Sequence, residues 1–239
     1  MQKAESTMRR APVVEVIACS VSDAIEAQRG GAGRLEVVRD FERGGLTPPL
    51  ELVQNILDAV RLPVRVMLRE TDSYRVDDKG EREKLCAAAN RFARLNVNGL
   101  VLGFLREGEI DVQLTEWVLS CAPNSRATFH HAFEEAEDPL PAIRTIKRLK
   151  QVDRILTSGG NGEWPEKIAR LSRYEEEVGP EIEILAGGGI DRQSIRMICH
   201  ATGIREFHIG RAAREPASAA GVVRSERVKA LVETAQELC

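Results

Sequence analysis

Short apolar runs rich in β-branched residues alternate with amphipathic stretches from one end of the chain to the other. The runs are Val13 to Cys19, Arg34 to Val38, Val64 to Arg69, Gly99 to Leu102, Ala127 to His130, Asp153 to Leu156, Ile182 to Ala186 and Glu206 to Ile209. Each is strand-sized, and each is followed by a helical pattern. After the second run, Val53, Ile56, Leu57 and Val60 recur at i, i+3, i+4 and i+7, with Thr47 and Pro48 placed as N-cap and first helical residue. Asp138 and Pro139 open the fifth helix in the same way. Eight strand–helix units in 239 residues predict a single-domain α/β (β/α)8 TIM barrel over residues 12–239, preceded by an N-terminal arm over 1–11. An open doubly wound sheet would have fewer strands and a glycine-rich phosphate turn after the first, which the residues following Cys19 do not supply.

Composition narrows the function classes. The 34 basic and 37 acidic side chains leave a net charge of −3, so no global basic field draws in nucleic acid or an anionic membrane. No apolar run approaches the roughly 20 residues that span a bilayer, and Met1 to Ala11 is polar without a signal core. These features predict a cytoplasmic protein, possible as a homo-oligomer, whose partner is a small molecule or a metal. Five cysteines without a Cys-x-x-Cys spacing indicate neither a disulfide framework nor a zinc knuckle, and Cys86, Cys121 and Cys199 are expected to pack as small hydrophobes.

In a barrel, chemistry sits at the C-terminal ends of the strands. There the stretch Ala127-Thr-Phe-His-His-Ala-Phe-Glu134 ends an apolar run with two histidines and a carboxylate. His130, at the strand tip, is the candidate for chemistry, and His131 is assigned to loop packing. Glu36 and His208 join His130 as acid/base candidates, because burial and neighbouring charge tune carboxylates and imidazoles toward neutral pH. The opposing structural reading pairs Glu15 or Glu36 with Arg65 or Arg69 inside the barrel. Gly187, Gly188 and Gly189 after the seventh strand, with Gly210 and Arg211 after the eighth, form a candidate anion cradle of backbone N–H groups and one guanidinium. The bland alternative is a pair of tight turns. Glu15, Arg69 and Thr157 complete the substrate-binding candidates. No lysine lies at a strand end, which disfavours Schiff-base chemistry, and neither a Gly-x-Ser-x-Gly elbow nor a His-Glu-x-x-His helix is present.

Taken in order, Ala27-Gln-Arg-Gly-Gly-Ala-Gly-Arg-Leu-Glu36, Glu42-Arg-Gly-Gly-Leu-Thr-Pro48, Thr128-Phe-His-His-Ala-Phe133, Arg154-Ile-Leu-Thr-Ser-Gly159, Gly187-Gly-Gly-Ile190 and Glu206-Phe-His208 resemble the CutC family. The resemblance implies a (β/α)8 barrel associated with copper homeostasis, with copper as the implied metal. It also implies departures here. The two cysteines linked to copper(I) in the family fall at Ile17 and Val38, leaving Cys19 as the nearby candidate metal ligand, with His130 and His208 as further donors. The family's arginine after the strand-five histidine is His131, and its Phe-Asp is Phe133-Glu134. Two functions therefore compete: metal binding in copper homeostasis, or a lyase or isomerase acting by acid/base chemistry on a small anionic or phosphorylated substrate.

Overall fold

A computed structural model describes residues 11–239; the rest of the expected N-terminal arm lies outside the described residues. Eight parallel strands close into a barrel in chain order: β1 (Val13–Ala18), β2 (Arg34–Val37), β3 (Val64–Met67), β4 (Gly99–Leu102), β5 (Arg126–Phe129), β6 (Val152–Thr157), β7 (Glu183–Ala186) and β8 (Glu206–Ile209), with β8 paired back on β1. The expected TIM barrel is present, and its strands deviate by only a residue or two from the apolar runs. Eight helices alternate with the strands: α1 (Val21–Arg29), α2 (Leu50–Ala59), α3 (Lys79–Arg94), α4 (Val112–Ser120), α5 (Pro139–Ile146), α6 (Trp164–Val178), α7 (Arg192–Ala201) and α8 (Ser225–Leu238).

Local chemistry explains the joints. Ser20, Asp78, Asp111, Asp138 and Asp191 each accept a backbone N–H in the first turn of a helix, satisfying donors that the helix itself leaves free. Thr47 takes no such role. Its hydroxyl is exchanged with the Arg69 backbone, accepting from the N–H at 2.9 Å and donating to the carbonyl at 3.1 Å, and α2 begins after Pro49. This clamp ties the loop after β2 to the end of β3.

Strand alternation sorts the side chains into two layers. One set, including Val14, Val16, Leu35, Val64, Val66, Leu100, Ala127 and Ile155, packs outward against the helices in one continuous apolar core. A second, smaller cluster of Ile17, Val38, Met67 and Val101, with Cys19 and Phe41 against it, is separate from that core. A series of buried charges completes the interior.

Two cysteine pairs correct the sequence expectation. Cys86 of α3 is bridged to Cys121 at the end of α4, and Cys199 of α7 to Cys239, with Cα separations of 5.6 and 5.4 Å. Partners 35 and 40 residues apart carry no local spacing signal; the barrel brings them together by setting consecutive helices side by side. Cys19 is the one free cysteine.

Candidate active site

The C-terminal mouth of the barrel holds a cavity of about 470 Å³, lined by residues that include Glu36, Glu42, His131, Asp191, His208 and Arg211. Its floor comes from neighbouring strands. Strand register sets Glu15 beside His208 on one side and beside Arg34 on the other, while Glu36 lies beside Ile17. Glu15 thus faces an imidazole on one side and a guanidinium on the other. Its Oε1 lies 2.8 Å from His208 Nδ1, and its Oε2 accepts from Arg34 Nε. Arg34 in turn donates through Nη2 to Glu206 at 2.7 Å. The expected pairing of Glu15 or Glu36 with Arg65 or Arg69 is therefore replaced: Arg34, the lateral neighbour, neutralises Glu15, and Arg65 is taken up by Asp153 and Thr128.

Burial pushes the Glu15 carboxyl up, but Arg34 and His208 outweigh burial and hold it well below the usual carboxylate range. Glu36 has no arginine in contact. Burial raises its carboxyl to about 7, against the pull of His208, whose Nε2 lies 3.5 Å from Glu36 Oε2. Glu36 Oε1 is buried and has no hydrogen-bond partner. For His208, burial favours the neutral ring, but the two flanking carboxylates Glu36 and Glu15 outweigh it and raise its pKa. A carboxyl raised to about 7 and an imidazole whose pKa is also raised thus lie side by side at the cavity, the imidazole anchored from behind by Glu15.

The other candidates divide. Gly188, Gly189, Gly210 and Arg211 line the cavity, whereas Gly187, Glu15, Arg69, Thr157, His130 and Cys19 are not among its lining residues. Gly188 and Gly189 have φ of +76° and +89°, a region where side chains are strained, and a Cβ at Gly188 would lie 2.5 Å from that of Ser158. Arg69 stacks on Tyr74, 4.7 Å from the ring centroid, and donates to the Asp72 carbonyl. His130 is 3% exposed and packs against Tyr74 and Phe129. Burial, with the positive charge of Arg69 next, lowers its pKa to about 3, so the ring is neutral.

The neighbouring histidine is the one at the cavity. His131 begins a 3-10 turn over His131–Glu135, and its Nδ1 lies 3.3 Å from Glu134 Oε2. Glu134 accepts from Thr157 Oγ1 at 2.6 Å, from the N–H of Ser158 at 2.7 Å and that of Gly160 at 3.2 Å, and from the Ser158 hydroxyl. Burial opposes ionisation, but His131, Thr157 and Ser158 lower the carboxyl to about 2. Loop packing was the sequence reading for His131; the His131-x-x-Glu134 spacing was the signal for the pairing, because side chains three apart eclipse in a 3-10 turn. Glu42, Phe41, Ile17, Val38 and Asp191 also line the cavity and were not selected as its residues from the sequence.

The model of the CutC family matches residues 13–213. The chain belongs to the CutC family. The human copper homeostasis protein cutC homolog is 32% identical over 82% of this chain and 72% of its own length. A family protein CutC from Xanthomonas axonopodis pv. citri is 31% identical over 89% and 85%. A solved CutC structure from Streptococcus agalactiae superposes with a TM-score of 0.77 at 24% identity, covering 83% of this chain and 98% of that one. The fold alone is shared with thiamine phosphate pyrophosphorylase of Pyrococcus furiosus, at a TM-score of 0.64, 16% identity and coverage of 97% and 99%.

The copper association of the CutC name can be tested against the donors present. Cys19 is half-buried; burial pushes its thiol up to about 11 against the pull of Arg214, whose Nη2 lies 3.6 Å from the sulfur. Copper(I) favours thiolate or thioether ligands, and a protonated thiol beside a guanidinium is a poor one. Among the described residues no group of three or more His, Cys, Asp or Glu side chains is arranged to hold a metal. Cys19, His130 and His208 do not form such a set, and the residues do not fit a copper centre at Cys19.

Proposed function

We propose that this CutC-family barrel catalyses proton transfer on a small anionic substrate, as a lyase or isomerase, with Glu36 as base and His208 as its acid partner. The single observation that carries this reading is the Glu36 carboxyl, buried at the cavity floor, with one oxygen unpartnered and its pKa raised to about 7. A structural carboxylate would be neutralised as Glu15 is; a base must be free to take a proton near the working pH. Glu36 removes a proton from a substrate carbon, while His208, held through Nδ1 by Glu15, stabilises charge that develops on the neighbouring oxygen. The anionic end of the substrate rests against the Gly188–Gly189 turn, where absent side chains admit close approach to the backbone, and Arg211 adds charge at the rim. A phosphorylated substrate suits this cradle best. Copper homeostasis remains the association of the family name; in this chain it would have to act through ligands other than a Cys19 centre.

A panel of small phosphorylated sugars and acids, with inorganic phosphate, tests the reading in two steps. A ligand of the native state raises the melting temperature by mass action. A substrate then loses a C–H signal in D2O by proton NMR, and Glu36→Gln abolishes that exchange while leaving the melting shift. A flat melting response across the panel, or exchange that survives Glu36→Gln, would overturn the proposal.

A further inference from the structure

The mouth of the barrel carries two imidazoles that are each tied at Nδ1 to a carboxylate, and these carboxylates are held by different parts of the fold. On one side is His208 of β8, with Glu15 of β1 and Arg34 of β2 behind it. On another is His131 of the turn after β5, with Glu134 behind it and the start of the β6–α6 loop behind Glu134. Both rings line one cavity with Glu36. We propose that His131 is a second proton-transfer group of this cavity, with Glu134 as its positioning residue, so that substrate is held between His131 and the Glu36–His208 pair.

Three features of the geometry support this. The 3-10 turn sets His131 over Glu134. Three donors that also contact Glu134, Thr157 Oγ1 and the N–H groups of Ser158 and Gly160, fix the carboxylate, so the ring it holds has a defined orientation. The His131 side chain is 31% exposed, open enough to meet a ligand, whereas His130 beside it is sealed under Tyr74. A hydrogen bond at Nδ1 decides the tautomer and leaves Nε2 as the working nitrogen.

Resting on the proton-transfer reading above, this narrows the reaction to a proton shift between two atoms of one substrate. Glu36 takes a proton from carbon as the C–H bond breaks. His131, entering as the imidazolium with its Nδ1–H on Glu134, gives its Nε2 proton to the adjoining carbonyl oxygen, whose developing charge His208 stabilises, and so forms an enediol and the neutral Nδ1–H ring. Glu36 then returns its proton to the neighbouring carbon and His131 recovers its own from the second oxygen. Protons and electrons balance without an oxidant or a second substrate. The substrate class is a small anionic hydroxy-aldehyde or hydroxy-ketone.

The test uses the full chain labelled with 15N-histidine. In the neutral ring of His131, the proton is expected on Nδ1, moving to Nε2 in Glu134→Gln. Diethyl pyrocarbonate should acylate His131 and spare His130, and inorganic phosphate at about ten times its Kd should slow that acylation about tenfold. An Nε2–H tautomer in the wild type overturns the proposal whether or not phosphate binds. Acylation at an unchanged rate, with phosphate bound as judged by melting temperature, overturns it as well and leaves the anion cradle standing. A complete absence of phosphate binding counts against the cradle instead, and the tautomer alone then decides for or against His131.

Discussion

Replacing Glu36 by glutamine should make the protein less sensitive to alkaline pH, and the size of the effect follows from where the carboxyl sits. Burial raises this group from its ordinary 4.5 to about 7. At about 1.4 kcal/mol for each tenfold change, the folded chain prefers the protonated carboxyl by about 3 kcal/mol relative to the unfolded chain. Because the folded pKa is the higher one, the native state retains a proton between pH 4.5 and 7 that the unfolded chain releases. The associated stability is present in full below about pH 4.5 and is lost as pH rises through about 7. His208, whose pKa is also raised and first among its favourable causes by Glu36, changes in the same direction. The amide cannot ionise and weakens that support for His208. Urea unfolding of both proteins at about pH 5, 6.5 and 8.5 should therefore show the variant gaining about 2–3 kcal/mol on the wild type from the lowest pH to the highest. Parallel pH profiles would mean that Glu36 titrates as an ordinary surface carboxylate, and the acid/base reading would lose its foundation.

Arg34→Met should cost about 3 kcal/mol in urea unfolding, since it removes the guanidinium shared by two buried carboxylates and leaves Glu15 with His208 alone and Glu206 with Arg154 alone; a loss below about 1 kcal/mol would show that the pairing is not as described. Thiol titration in denaturant without reductant should find one reactive cysteine, Cys19, rising to five on reduction. Reduction of each bridge should lower stability by at most about 4 kcal/mol for loops of this length, and five thiols in unreduced protein would remove both bridges. Copper(I) titration against a competing chelator should give the same affinity for Cys19→Ser as for wild type, and a loss of about tenfold or more, about 1.4 kcal/mol, would restore Cys19 as a ligand.

The barrel was legible in the sequence because it is written in a short-range code: β-branched runs, amphipathic helices and aspartate or serine caps all act over a few residues. That Glu36 and His208 line the cavity was legible for the same reason, as polar residues in otherwise apolar strands. The partners were harder to see. Glu15 meets Arg34 through lateral register, and a register is a property of two strands together. His130 and His131 show the limit most clearly: strand alternation favoured His130, yet the turn after β5 buries that ring beneath Tyr74 and gives the cavity to its neighbour. The cysteine pairs depend on which helices become neighbours, which no spacing in the chain records.

The arginines and carboxylates behind the site bear on how the barrel can open. From His208 the contacts run through Glu15, Arg34, Glu206, Arg154, Asp153 and Arg65 to Thr128, and so join β8, β1, β2, β6, β3 and β5. Peeling away a strand that carries one of these charges would expose its own polar groups to water and leave a partner of opposite sign short of its contact in the remaining interior, while loss of β5 would remove the Thr128 hydroxyl from Arg65. Partial opening is therefore penalised on both sides of the break, and the six strands should exchange their amide hydrogens as one cooperative unit. Any motion that opens the cavity to a ligand is left to the loops above the strands, while the floor that carries Glu36 and His208 does not breathe with them.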